Sequence, residues 1–256
     1  MTGTTELHID GPVASIVFNR PDARNAMTWT MYEELEKACL AIENNSSIRV
    51  VSLRGAGGKA FISGTDIAQF SDFKTGSDGV LYEKQITKYV GAVANLSVPT
   101  IGIIEGWAVG GGMAIASVCD FRIATPGTRF GVPIAKTLGN CLSAANLGVL
   151  VSTLGLPMVK RMLLLAEMIN AEEMIESGYV HAIVEVESLE DQVSDMVDRL
   201  IHNAPITLLA TKKLLNRIND YLIKDEDLIA QVCGSNDFHE GVDAFINKRS
   251  PEWKGK

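Results

Sequence analysis

The stretch GWAVGGGMAIASVCDFRIATPGTRFGVPIAKTLGNCLS occupies residues 106–143, and its reading decides the fold. A strand-like run, TIGIIEG (100–106), leads into it. A triple glycine, Gly110, Gly111 and Gly112, opens what reads as a helix. Strand, tight glycine turn and buried helix in succession are the mark of an α/β core. Amide groups at a helix N-terminus lack intrahelical partners and carry partial positive charge. Glycine lets a ligand reach them. The turn therefore reads either as an anion site or as a packing device. It is not a Walker loop, because no Gly-Lys-Ser/Thr follows, and Met113 and Ala114 do not complete GxGxxG.

A second glycine turn, SGTD (63–66), also precedes a short helix that Asp66 is placed to cap. Two such turns facing one point would form an oxyanion hole from backbone N–H groups alone.

Working outward, VASIVFNRP (13–21) and IRVVSLRG (48–55) read as strands. TWTMYEELEKACLAIENN has helical spacing at Met31, Leu35, Ala38, Cys39 and Ile42. Residues 71–79, SDFKTGSDG, read as a mobile polar loop, followed by a helix in VLYEKQITKYVGAVANL. Beyond CDFRIAT, helices are expected over 142–154, 157–167, 171–177, 188–202, 205–219 and 225–247, with one strand at 182–187. Residues 1–190 read as the core and 191–256 as a C-terminal helical region.

The chain has 256 residues, 46% hydrophobic and 21% charged, with a net charge of −8. That balance disfavours a nucleic-acid partner. The longest apolar run, 98–119, holds Pro99, Glu105 and five glycines, so no membrane span is expected. Four cysteines without CxxC spacing argue against a zinc site or a disulfide framework. The N-terminus has no signal-peptide pattern. A cytoplasmic protein with no metal is expected.

Taken together, NRPDARNAM, AFISGTDIAQF, GWAVGGGMAIASVCDFRIAT, RFGVP, AEEMIESGYVHAIVE and EGVDAFINKRSPEWKG resemble the crotonase superfamily, the enoyl-CoA hydratase/isomerase family. The match runs in order over nearly the whole chain. It implies a spiral of ββα units with C-terminal helices that assemble a homotrimer or a dimer of trimers. It also implies an acyl-CoA thioester as substrate, with no cofactor besides that coenzyme A group. Position by position, the thioester oxygen would lie between the N–H groups of Thr65 and Gly111. Ser63, Gly64, Ile67 and Gly110 belong to the same two turns. Arg24, Phe245 and Lys248 match positions along which coenzyme A passes.

Hydratases of the family resemble GGGxE and FGxPE. Here those acidic positions are Ala114 and Ile134, and no Asp or Glu occurs from 121 to 166. A carboxylate pair suits hydration, since one group takes a proton while the other delivers one. What fills the gap is KTLGNCLSAAN. Asn140 reads as a group that orients water or substrate, or as one that shapes the loop. Cys141 is a nucleophile if its thiol is acidified, and a packed structural thiol otherwise. Ser143 is a helix cap or a nucleophile. Asn146 shares the stretch. These residues leave two alternatives to the family reaction: thioester hydrolysis or other enolate chemistry, and acyl-CoA binding with little turnover. Glu83, on the helix that lines the acyl pocket in relatives, is the best remaining acid and is otherwise expected in solvent. Glu105 and Asp120 read as structural. The four histidines, His8, His181, His202 and His239, are scattered and fall outside the motifs matched to the site.

Overall fold

The computed structural model describes residues 3–218 and 226–252. Its frame is a six-stranded sheet. β1 (Thr4–Asp10) pairs antiparallel with β2 (Val13–Asn19), and β2 continues in parallel to β3 (Val50–Gly55). β4 (Thr100–Ile104), β6 (Phe121–Ala124) and β9 (Ala182–Ile183) complete it in parallel register. A second sheet holds β5 (Trp107–Val109), β7 (Arg129–Gly131) and β8 (Ile169–Asn170). Parallel neighbours need crossovers, and helices supply them. These are α1 (Trp29–Glu43) and α2 (Gly76–Ala94), with α3 (Gly111–Val118) between β5 and β6.

α4 (Ala144–Leu164) and α5 (Ala171–Glu176) follow. Gly155, at φ 73° and ψ 152°, divides α4, as expected from the helices read on either side of it. α6 (Leu189–Ile201) lays Leu189, Val193, Met196 and Leu200 on Val50, Ile101 and Ile123 of the large sheet. α7 (Pro205–Ile218) is tied down by Lys212, whose Nζ lies 2.7 Å from the Asp120 carboxylate. Asp120 also accepts from the Thr100 N–H at 2.7 Å, so it holds the helix-to-strand turn as expected.

Three expectations are corrected. Residues 76–79 are helical, because the Asp78 carboxylate accepts from the Lys74 and Thr75 N–H groups and nucleates α2. The helix expected over 225–247 is two, α8 (Glu226–Cys233) and α9 (Asn236–Ile246). Ser235 caps the second by accepting from Phe238 N–H at 3.1 Å. The strand expected at 182–187 keeps only its first two residues. The expected helix ends at 219 and 225 lie outside the described residues.

Candidate functional site

A cleft of about 790 Å³ opens between the two glycine turns, α2 and the segment that leads into α4. Its first wall is the loop after β2. Asn25, fully buried, pins that loop: its Nδ2 donates to the Ala60 and Ala56 carbonyls at 2.7 and 3.0 Å. Its Oδ1 accepts from Arg20 N–H at 2.9 Å. Arg20 then reaches Asp66 at 2.7 Å, and Arg24 stands exposed at the rim. Asp66 also caps the short turn at Ile67–Phe70, as expected.

The second wall is the pair of turns. Gly64 (φ 117°) and Gly110 (φ 55°) hold conformations that side chains disfavour, and they lie back to back. A Cβ on Gly110 would sit 3.7 Å from Gly64 Cα, and one on Gly111 would sit 3.5 Å from Thr65 Oγ1. Met27 N–H donates to Gly64 O, and Asp66 N–H donates to Met27 O. Successive N–H groups on an extended strand point to opposite sides. The Thr65 N–H is thereby turned away from Met27. Gly111, the first residue of α3, presents its N–H at the helix end.

Thr65 itself is anchored. Its hydroxyl lies 2.9 Å from Tyr32 Oη and 2.8 Å from Tyr82 Oη, all three buried. Burial pushes both phenols well above their ordinary pKa, so both keep their protons. Neither tyrosine is evident from the glycine motifs. Their signal is the inward stripe of each helix: Tyr32 with Leu35 and Cys39 on α1, Tyr82 with Ile86 and Tyr89 on α2.

The third wall corrects the reading of Glu83. It shares the α2 stripe with Gly79, Ile86 and Val90 and is 2% exposed rather than solvated. Its Oε2 accepts from Ser143 N–H at 2.7 Å. Ser143 caps α4 by accepting from Asn146 N–H at 3.2 Å, and its hydroxyl lies 2.9 Å from that of Thr87. Asn140, Leu142 and Asn146 line the cleft, whereas Cys141 and Ser143 do not. Asn140 Oδ1 and Asn146 Nδ2 are buried without hydrogen-bond partners. Leaving such atoms unpaired costs about 1–3 kcal/mol each.

Ser63, Ile67, Ala114, Ile134, Phe245 and Lys248 also line the cleft. Phe245 and Lys248 join Arg24 at its exposed rim. Elsewhere, Glu105 pairs with Arg54 at 3.1 Å and stands apart from the cleft, as do all four histidines. Among the described residues no cluster of His, Cys, Asp and Glu is arranged to hold a metal.

A family model described as Enoyl-CoA hydratase/isomerase matches residues 8–256. The Short-chain-enoyl-CoA hydratase of Clostridium acetobutylicum is 31% identical, over 96% of this chain and 95% of that protein. The (E)-benzylidenesuccinyl-CoA hydratase of Thauera aromatica is 30% identical, over 97% and 98%. Among solved structures, methylmalonyl-CoA decarboxylase in complex with 2-nitronate-propionyl-CoA superposes with a TM-score of 0.89 at 26% identity, over 99% of each chain. The match extends from β1 to the C-terminus, and the chain belongs to the enoyl-CoA hydratase/isomerase family, with the crotonase-like fold that its sequence implied.

Proposed function

We propose that this protein binds an acyl-CoA thioester in the cleft and stabilises its enolate with the N–H groups of Thr65 and Gly111. The observation that carries the reading is the back-to-back pair of glycine turns. It leaves two backbone donors beside one cavity of acyl-group size. Arg24 and Lys248 at the rim suit the phosphates of coenzyme A, and the apolar wall of Phe70, Ile86 and Leu142 suits an acyl chain. Hydration or dehydration is the reaction that the named hydratase relatives favour. Thioester hydrolysis has less support, because Cys141 lies off the cleft and Ser143 is engaged as a cap.

No carboxylate stands at 114 or 134, the positions that the family resemblance marks for proton transfer. A positioned acid or base contributes about 10² to 10⁴ in rate. Crotonyl-CoA should therefore bind at micromolar strength, about −8 kcal/mol, while its hydration runs slower than in a relative with both carboxylates. Calorimetric titration and the loss of enoyl-thioester absorbance test this. Absence of binding would overturn the reading.

A homotrimer or dimer of trimers is part of the same proposal. Leu156, Leu164 and Leu165 around α4, and Ile206, Leu214 and Leu215 on α7, are between 51% and 80% exposed. Apolar surface of that kind favours burial between subunits. α4 also has the length and composition to cross a membrane, but Gly155 and Pro157 interrupt it. A cytoplasmic location remains part of this reading.

A further inference from the structure

Among the described residues that line the cleft, two carry carboxylates, Asp66 and Glu83. Asp66 is committed to Arg20 and to the Ala68 N–H. Glu83 is different. It comes from the middle of α2, outside both glycine turns, and is buried against the acyl-sized cavity. The Ser143 N–H, at the positive end of α4, holds one of its oxygens at 2.7 Å. Two residues that line the same cavity carry buried polar atoms without a hydrogen-bond partner: an acceptor, Asn140 Oδ1, and a donor, Asn146 Nδ2. An oxygen that bears a hydrogen complements both, since it donates to one and accepts from the other. Water has that property, and so does the hydroxyl of a 3-hydroxyacyl thioester.

We propose that Glu83 is the proton-transfer residue of this site, and that Asn140 and Asn146 hold the oxygen on which it acts. This rests on the acyl-CoA reading above. In the hydration direction Glu83 takes a proton from water as the water oxygen bonds to C3 of a 2-enoyl thioester. The C2–C3 π pair moves toward C1, and the carbonyl π pair moves onto the thioester oxygen, between Thr65 N–H and Gly111 N–H. The enolate then collapses, C2 takes the proton back from Glu83, and the carbonyl re-forms. One hydrogen and one hydroxyl have been added, and Glu83 is regenerated. A single carboxyl thus acts first as base and then as acid. Dehydration of the 3-hydroxyacyl thioester is the reverse.

The test is Glu83→Gln, which keeps an acceptor for the Ser143 N–H but cannot carry the proton. The readouts are crotonyl-CoA affinity, the kcat of hydration, and exchange of the C2 protons of butyryl-CoA in deuterium oxide. Affinity should stay within about threefold, while kcat and exchange fall about 10²- to 10⁴-fold. Unchanged kcat would overturn the assignment. If Glu83→Gln does not fold, Asn140→Ala carries the test: kcat should fall at least tenfold at unchanged affinity, and an unchanged kcat would overturn it. A wild-type protein that fails to bind crotonyl-CoA defeats the acyl-CoA reading itself. Binding without hydration or exchange defeats only the role of Glu83.

Discussion

Gly111→Ala puts the site's packing to a sharp test. A Cβ at 111 would lie 2.5 Å from Tyr32 Oη, and ordinary contact begins at 3.4 Å, so about 0.9 Å must be found. The tyrosine has little room to yield. It is fully buried, and its ring stacks on Tyr89 at 5.3 Å. Its hydroxyl is also engaged with Thr65 at 2.9 Å. Overpacking of this kind costs about 1–3 kcal/mol, and loss of the hydroxyl contact adds about 0.5–1.5 kcal/mol. The variant should therefore lose roughly 2–4 kcal/mol in urea denaturation. Displacing Thr65 should also weaken butyryl-CoA binding. Tyr32→Phe removes the atom that the methyl would strike and costs about 1 kcal/mol alone. The double variant should then be little worse than Tyr32→Phe, a coupling of about 2–4 kcal/mol. Additive losses, or a Gly111→Ala protein as stable as wild type, would refute the reasoning.

Two further outcomes are expected. Burial raises the Cys39 and Cys119 thiols from 9.0 to about 12. The unfolded chain gives up these protons near pH 9 and the folded one only near 12. Their stabilising contribution is therefore complete below pH 9 and is lost as pH rises through that window. At about pH 10.5 the loss is on the order of 2 kcal/mol per thiol, so the urea midpoint should fall between pH 8 and 10.5, and fall less in Cys119→Ala. An equal fall in both proteins would contradict this. Light scattering at micromolar concentration should give three or six times the chain mass, and a monomer would contradict the assembly proposed for the exposed leucines.

Much of the fold was legible because long elements carry their own period. The buried stripe of α1 and the β-branched runs of β2 and β3 are visible in the residues alone. The two- and three-residue strands β5, β7 and β8 are not, because pairing partners rather than local pattern make them strands. The start of α2 was hidden by polar Ser77 and Asp78, which mark a helix cap as readily as a loop. The two glycine turns point to the cleft from sequence alone. The family resemblance put Glu83 on the pocket helix but left it in solvent, although its place between Gly79, Ile86 and Val90 on the inward stripe marks it as buried. A carboxylate favours solvent by its charge, and only its position on an apolar stripe says otherwise. The contact between its carboxylate and Ser143, 60 residues away, is a tertiary fact with no sequence period.

The central claim is that Thr65 N–H and Gly111 N–H together receive the thioester oxygen. Infrared difference spectroscopy of butyryl-CoA labelled with carbon-13 at its thioester carbonyl tests this directly. Two hydrogen bonds in a buried site polarise the carbonyl, so its stretching band should move to lower frequency on binding, and should move less in Gly111→Ala. A bound ligand whose carbonyl band stays at its free position would contradict the account.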